Sequence, residues 1–215
     1  MANYTWSHCI SEADTGGDLG QASAMVMNPN SLLQDRGNCL SDRRQIFNSS
    51  IIAQTPEFAS TLLRRVASGW QTSAIITAQA GNWSSVTTGS DTSLTASQAA
   101  ASLQDRANVI GDWHGDGTRG NWFQRAAFAN NAPGIFGNVG RNSVLQPGAW
   151  NIDASLVRRV KVREGQSVEI RAEAFNLLNH ANFGPATTSI SSGNFGKILT
   201  SGNPRICEFA LKYVF

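Results

Sequence analysis

At 215 residues the chain is long enough for one domain with its own core, and its 17 basic and 15 acidic residues leave a net charge of +2. Charged residues make up 15% of it, against about 25% in ordinary soluble domains, and Gly, Asn, Ser and Thr take their place. Scattered Arg residues give no footprint for nucleic acid, and no run approaches the ~20 apolar residues of a membrane helix.

Taken in chain order, the pattern is one of strands. Tyr4, Trp6 and His8 alternate with Asn3, Thr5 and Ser7, which predicts a first strand. Ile46 to Thr55 reads as a weaker second strand, stopped by Pro56. In the third, Trp70, Thr72, Ala74, Ile76, Ala78 and Ala80 share one face, and Gln71, Ser73, Thr77 and Gln79 share the other, broken only by Ile75. That length suits a tilted bilayer-spanning strand, which needs ~9 to 11 residues.

From Trp150 the even positions Ile152, Ala154, Leu156, Val160 and Val162 are apolar apart from Arg158, and the odd positions are polar apart from Val157. Arg163-Glu164-Gly165-Gln166 predicts a tight turn. A fifth strand then sets Val168, Ile170, Ala172 and Ala174 against Glu169, Arg171 and Glu173. Three charges at consecutive positions of one face fit a water-filled lumen better than a dry core. The chain ends on a sixth strand, with Cys207, Phe209, Leu211, Tyr213 and Phe215 opposite Glu208, Ala210 and Lys212.

The connections run long, short, long, short, long: residues 10 to 45, 56 to 68, 84 to 148, 163 to 166 and 179 to 204. Outer-membrane barrels show this asymmetry, with short turns on the periplasmic side, here beside Phe215. A compact soluble domain, whose loops have a median of ~4 to 6 residues, has little use for the longest of these. The expected fold is therefore all-β, an antiparallel transmembrane β-barrel fragment of about six strands in an open sheet, occupying residues 1–215.

Two stretches carry a family resemblance. Gly134-Ile135-Phe136-Gly137-Asn138-Val139-Gly140-Arg141-Asn142 is followed by Pro147-Gly148-Ala149-Trp150-Asn151-Ile152-Asp153-Ala154-Ser155-Leu156, and Arg171-Ala172-Glu173-Ala174-Phe175-Asn176-Leu177-Leu178-Asn179 runs on to Phe183-Gly184. They resemble the Gly-x-Phe-Gly-Asn-x-Gly-Arg-Asn, Pro-Gly-x-x-Asn-x-Asp and Glu-x-Phe-Asn-x-x-Asn runs of Oar-like TonB-dependent outer-membrane transporters. Asn3-Tyr4-Thr5-Trp6-Ser7 and Asp42-Arg43-Arg44 also match that family, so the resemblance covers nearly the whole chain.

It implies a place in the outer membrane of a Gram-negative-type bacterium and a parent protein that takes up a bulky nutrient with TonB-supplied energy. It also implies that Phe209, Leu211, Tyr213 and Phe215 form a C-terminal signal for the barrel-assembly machinery. Such transporters have about 22 strands, a plug and a TonB-pairing box. Six strands, no plug, no box and no secretion signal after Met1 lead to the expectation of a fragment beginning inside a longer protein, partnered by outer-membrane lipid and reaching the TonB complex only through the missing N-terminal part. The alternative is a soluble all-β module that binds a carbohydrate or other ligand through its loop aromatics.

Single sites add little chemistry. Cys9 and Cys39 flank the first long loop, and a disulfide and two free thiols both remain open. Asp112-Trp113-His114-Gly115-Asp116-Gly117 opens like a calcium loop, but its twelfth position is Phe123, so a Gly-rich surface loop is the better reading. His8, His114 and His180 have no ligand spacing. No catalytic triad or paired-carboxylate site stands out, so neither enzyme activity nor a cofactor is expected. Trp113, Trp122, Phe123, Phe128 and Phe136 crowd the longest loop, where they pack it on itself or touch a ligand.

Overall fold

A computed structural model of the protein describes residues 1–12, 27–28, 31–95 and 105–215. Its frame is a single sheet of six strands: β1 (Ala2–Trp6), β2 (Gln45–Gln54), β3 (Trp70–Gln79), β4 (Ala149–Arg163), β5 (Gln166–Phe175) and β6 (Ile206–Val214). Spatial order equals chain order, every neighbouring pair is antiparallel, and β1 and β6 form the two edges, so the sheet is open. The expected open antiparallel sheet is thus present.

The register explains the alternation. Cross-strand partners share a face, and Tyr4, Phe47, Ala78 and Trp150 follow one another across four strands. Leu156, Ala172 and Phe209 continue the same apolar face, as do Val168 and Tyr213. Behind it lie Asn48, Thr77 and Asn151, then Ser155, Glu173 and Glu208. A one-residue slip of any strand would exchange its faces, so the two-sided composition fixes the pairing.

Strand β4 passes to β5 through Glu164 and Gly165. Gly165 has φ +75°, a conformation that only glycine adopts without steric cost, and the ladder shifts register between Lys161 and Arg163 as the turn closes.

Among the described residues, no second layer covers the apolar face. All nine residues of β6 are exposed, with Phe209 at 83% and Leu211 at 75%. The core lies instead beyond the strand ends. Val86, Phe123, Phe128, Val144, Ile190, Phe195 and Ile198 are buried together, drawn from the connections on either side of β4 and β5. These connections form a packed cap at one end of the sheet. At the other end are the β4–β5 turn and a short helix, α1 (Thr61–Ala67), in the connection expected to be a plain loop. Strand 1 also ends at Trp6, short of the His8 suggested by alternation, because His8 is drawn into the cap.

Candidate functional site: the loop cap and the face beneath it

Buried charges tie the cap together. Asp35 is fully buried, and one of its carboxylate oxygens accepts from Arg106 Nη1 at 2.6 Å while the other accepts the Met27 N–H at 2.9 Å. Arg106 also donates Nη2 to the Gln34 carbonyl at 2.6 Å and Nε to the Val139 carbonyl at 2.9 Å. Arg141 donates to the carbonyls of Ser11 and Asp35. Two arginines of the long third connection therefore clamp the first connection, and the planar fork of Arg suits such multiple bonding.

The motif Gly134–Asn142 builds this junction. Gly137 lies so close to Arg106 that a Cβ would meet its carbonyl oxygen at 1.9 Å, so nothing larger fits. Asn138 exchanges bonds with Asn108 and Val109. Asn142, at φ +46°, donates Nδ2 to the Asn38 carbonyl while Asn38 donates Nδ2 back to the Asn142 carbonyl. The second motif does the same at the exit of β5. Asn176 takes φ +51°, donates to the carbonyls of His180 and Asn203 and accepts from the His180 N–H. Both motifs thus act as loop joinery.

A second anchor stands where the first connection meets β2. Cys9 and Cys39 are joined as a disulfide whose Cα atoms lie 5.4 Å apart. Beside it, Asp42 accepts from the Cys9 N–H, Arg44 Nε at 3.0 Å and His8 Nδ1 at 3.2 Å. Burial alone would raise the Asp42 carboxyl, but these three donors hold it below its ordinary value. A second fully buried carboxylate besides Asp35, that of Asp105, accepts from Ser93 Oγ at 3.0 Å and Thr92 Oγ1 at 3.1 Å.

The Gly-rich segment near Asp112 forms a small hairpin, pairing His114–Thr118 with Asn121–Phe123. Asp112 binds His114 Nδ1 at 2.6 Å and Asp116 accepts the Thr118 N–H at 2.9 Å, so each carboxyl sits below its ordinary value. These partners are local, and among the described residues no three His, Cys, Asp or Glu side chains gather around one point. Of the loop aromatics, Phe123 and Phe128 are buried core residues, Trp113 and Trp122 pack against them, and Phe136 is half-buried.

The charged residues of β5 share the polar face of the sheet. Glu169 is bonded by Arg159 Nη2 at 2.8 Å and Arg171 Nη2 at 3.1 Å, and Arg171 reaches Glu173 at 3.5 Å. Nearer the cap, the same face opens into a cavity of about 660 Å³ lined by Asn48, Thr77, Asn151, Asp153, Phe175 and Asn203. At the far end, Phe209, Leu211, Tyr213 and Phe215 project from the apolar face or its terminus, and the rings of Tyr213 and Phe215 stack at 6.2 Å. Nothing in the sequence marked Asp35 or Arg106, because the two meet across 71 residues.

A large apolar face that no described residue covers as a second layer, backed by a polar face, is the arrangement of a sheet standing in lipid. A family model described as an outer membrane beta barrel domain matches residues 1–208. The chain belongs to that family. No match is found among curated proteins or solved structures. In this barrel domain the six strands are the wall, the family supports an outer-membrane location, and the motifs hold its loops.

Proposed function

We propose that this barrel domain serves a TonB-dependent transporter for energised uptake of a bulky nutrient across the outer membrane, with the cap outside and the β4–β5 turn in the periplasm. The observation carrying this reading is the unequal treatment of the two sheet ends. One end carries a cap with its own hydrophobic core and buried ionic ties, set over a polar face with an open cavity; the other carries short connections. Loop segments tied together by buried ion pairs and a common core make a preformed ligand surface, which lowers the entropy cost of binding.

The unpaired edges of β1 and β6 could not be left in lipid, so in this reading further strands complete the wall. The TonB coupling rests on the motif resemblance alone. A soluble binding module is disfavoured by the bare apolar face, which would have to be exposed to water.

The test compares a strain lacking this gene with a strain lacking TonB, grown on panels of metal chelates, oligosaccharides and peptides. A growth defect shared by both strains on the same nutrient is expected. A nutrient lost with this gene but still taken up without TonB would reduce the reading to a passive barrel.

A further inference from the structure

Helix α1 lies at the turn end of the sheet and is amphipathic, yet no residue of it is buried. At 100° per residue, Leu62, Val66 and Leu63 fall within about 100° of arc, with Arg65 flanking one side and Arg64 the other. Leu62 is 72% and Val66 60% exposed. Seven residues are too few to hold a helix in water without outside support.

That support comes from the apolar face of the sheet. Trp70 donates Nε1 to the Val66 carbonyl at 2.9 Å, Arg158 donates to the Arg65 carbonyl, and the Arg158 guanidinium lies 5.0 Å from the centre of the Trp70 ring. Trp70 and Arg158 are cross-strand partners on that face. The helix is therefore bound to the apolar side of the wall, next to its lipid-facing surface.

We propose that α1 is an interfacial anchor: its Leu62–Leu63–Val66 stripe enters the acyl boundary of the adjacent phospholipid leaflet while Arg65 contacts headgroup phosphates, Arg64 being held by the carbonyls of Phe58 at 3.0 Å and Ala59 at 3.1 Å. Charge and continuity favour this occupant. A cationic helix whose apolar stripe adjoins a lipid-facing sheet matches an anionic lipid surface, and the long Arg65 side chain can reach outward to phosphate while its stem stays in the apolar layer. The inference rests on the sheet spanning the membrane and is independent of TonB-driven uptake.

The test uses the chain together with the further strands that complete its wall, inserted in phosphatidylethanolamine vesicles containing phosphatidylglycerol. Cys207→Ser is combined singly with Leu62→Cys, Arg64→Cys, Val66→Cys or, as a reference for insertion, Phe209→Cys; each added thiol carries a nitroxide, and only floated vesicles are read. Labels at positions 62, 66 and 209 should collide preferentially with oxygen, whereas the label at 64 should favour a water-soluble nickel chelate. Water-like collisions at 62 and 66 beside a lipid-like signal at 209 would overturn the anchor and favour a protein partner for α1. Arg65→Gln should make the label at 66 shallower in these vesicles, with less change in neutral phosphatidylcholine. An equal response in both lipids would remove the phosphate contact.

Discussion

Arg106→Leu tests whether buried charges or mere proximity hold the cap to the first connection. The Arg106 side chain is 8% exposed and Asp35 is fully buried, so the change strands a carboxylate without its ion-pair partner. Breaking a buried pair from one side costs about 3 to 5 kcal/mol. Asp35 keeps the Met27 N–H at 2.9 Å, which places the expected loss near the lower end. A cost of about 3 kcal/mol raises the open population of the junction by roughly 100- to 200-fold, and proteolysis follows that population when reclosing outpaces cleavage. Trypsin cleavage after the exposed Arg36, followed by mass spectrometry of the detergent-solubilised chain, reads this opening. Asp35→Asn should also accelerate it, and the double variant should cost less than the sum of the two. Unchanged cleavage in both single variants, or strict additivity, would refute the clamp.

Other outcomes follow from the same geometry. Leu211 is one residue from the centre of β6 on the lipid side, so in the completed barrel Leu211→Arg should cost about 2 to 4 kcal/mol in membrane refolding titrations, whereas Glu173→Gln, touching only a partly exposed pair, should change stability by less than about 1 kcal/mol; equal tolerance would mean the register is wrong. The lowered Asp42 carboxyl contributes stability that is present above the unfolded value of about 3.9 and is lost as pH falls through its lower folded value. Cleavage of the first connection by the acid-active protease pepsin, normalised to the unfolded chain at each pH, should therefore accelerate below the ordinary carboxylate range, and Asp42→Asn should flatten that rise. Deleting Phe215 should reduce the surface-exposed population of the protein without changing ligand affinity per inserted molecule; normal insertion with lost binding would assign this end to the ligand.

The wall was legible in the sequence because each strand must satisfy two solvents at once. Glu169, Arg171 and Glu173 cannot share a face with Ile170 and Ala172, so the alternation locates β5 and sorts its two faces, while the register of its pairing with β6 comes from the structure. Helix α1 was not legible. Thr61–Ala67 is shorter than two full helical turns, has no side-chain cap and is held by Trp70 and Arg158 from other strands. The motifs were visible as text but not as geometry. Gly137 is needed because the Arg106 backbone passes beside it, and Asn142 because its amide bonds Asn38, neither of which any local spacing reveals. The aromatics did signal a packed loop, since Phe123 and Phe128 are too large and apolar to remain in water without a function.

The two halves of the molecule draw on different sources of stability. The wall buries little against protein, so its apolar face depends on lipid and its backbone on the ladder, while the cap has its own core. A substitution in the cap should then alter loop order without displacing the strands, unless it reaches the seams where the halves meet. Those seams include Arg43 Nη1 to the Ala80 carbonyl at 3.1 Å, the Trp150 N–H to Asn182 Oδ1 at 2.9 Å with the His180 ring stacked on Trp150 at 4.2 Å, the Leu177 N–H to the Ile152 carbonyl at 2.8 Å, and the Asn176 N–H to Asp153 Oδ1 at 2.8 Å. The last joins the cap to the floor of the cavity, because Asn176 turns the chain out of β5 and Asp153 lies on the polar face of β4. A ligand that moved the loops would therefore be felt on the inner wall through Asp153, whose carboxylate both lines the cavity and bonds the Asn176 N–H, which makes it a position for a reporter of binding.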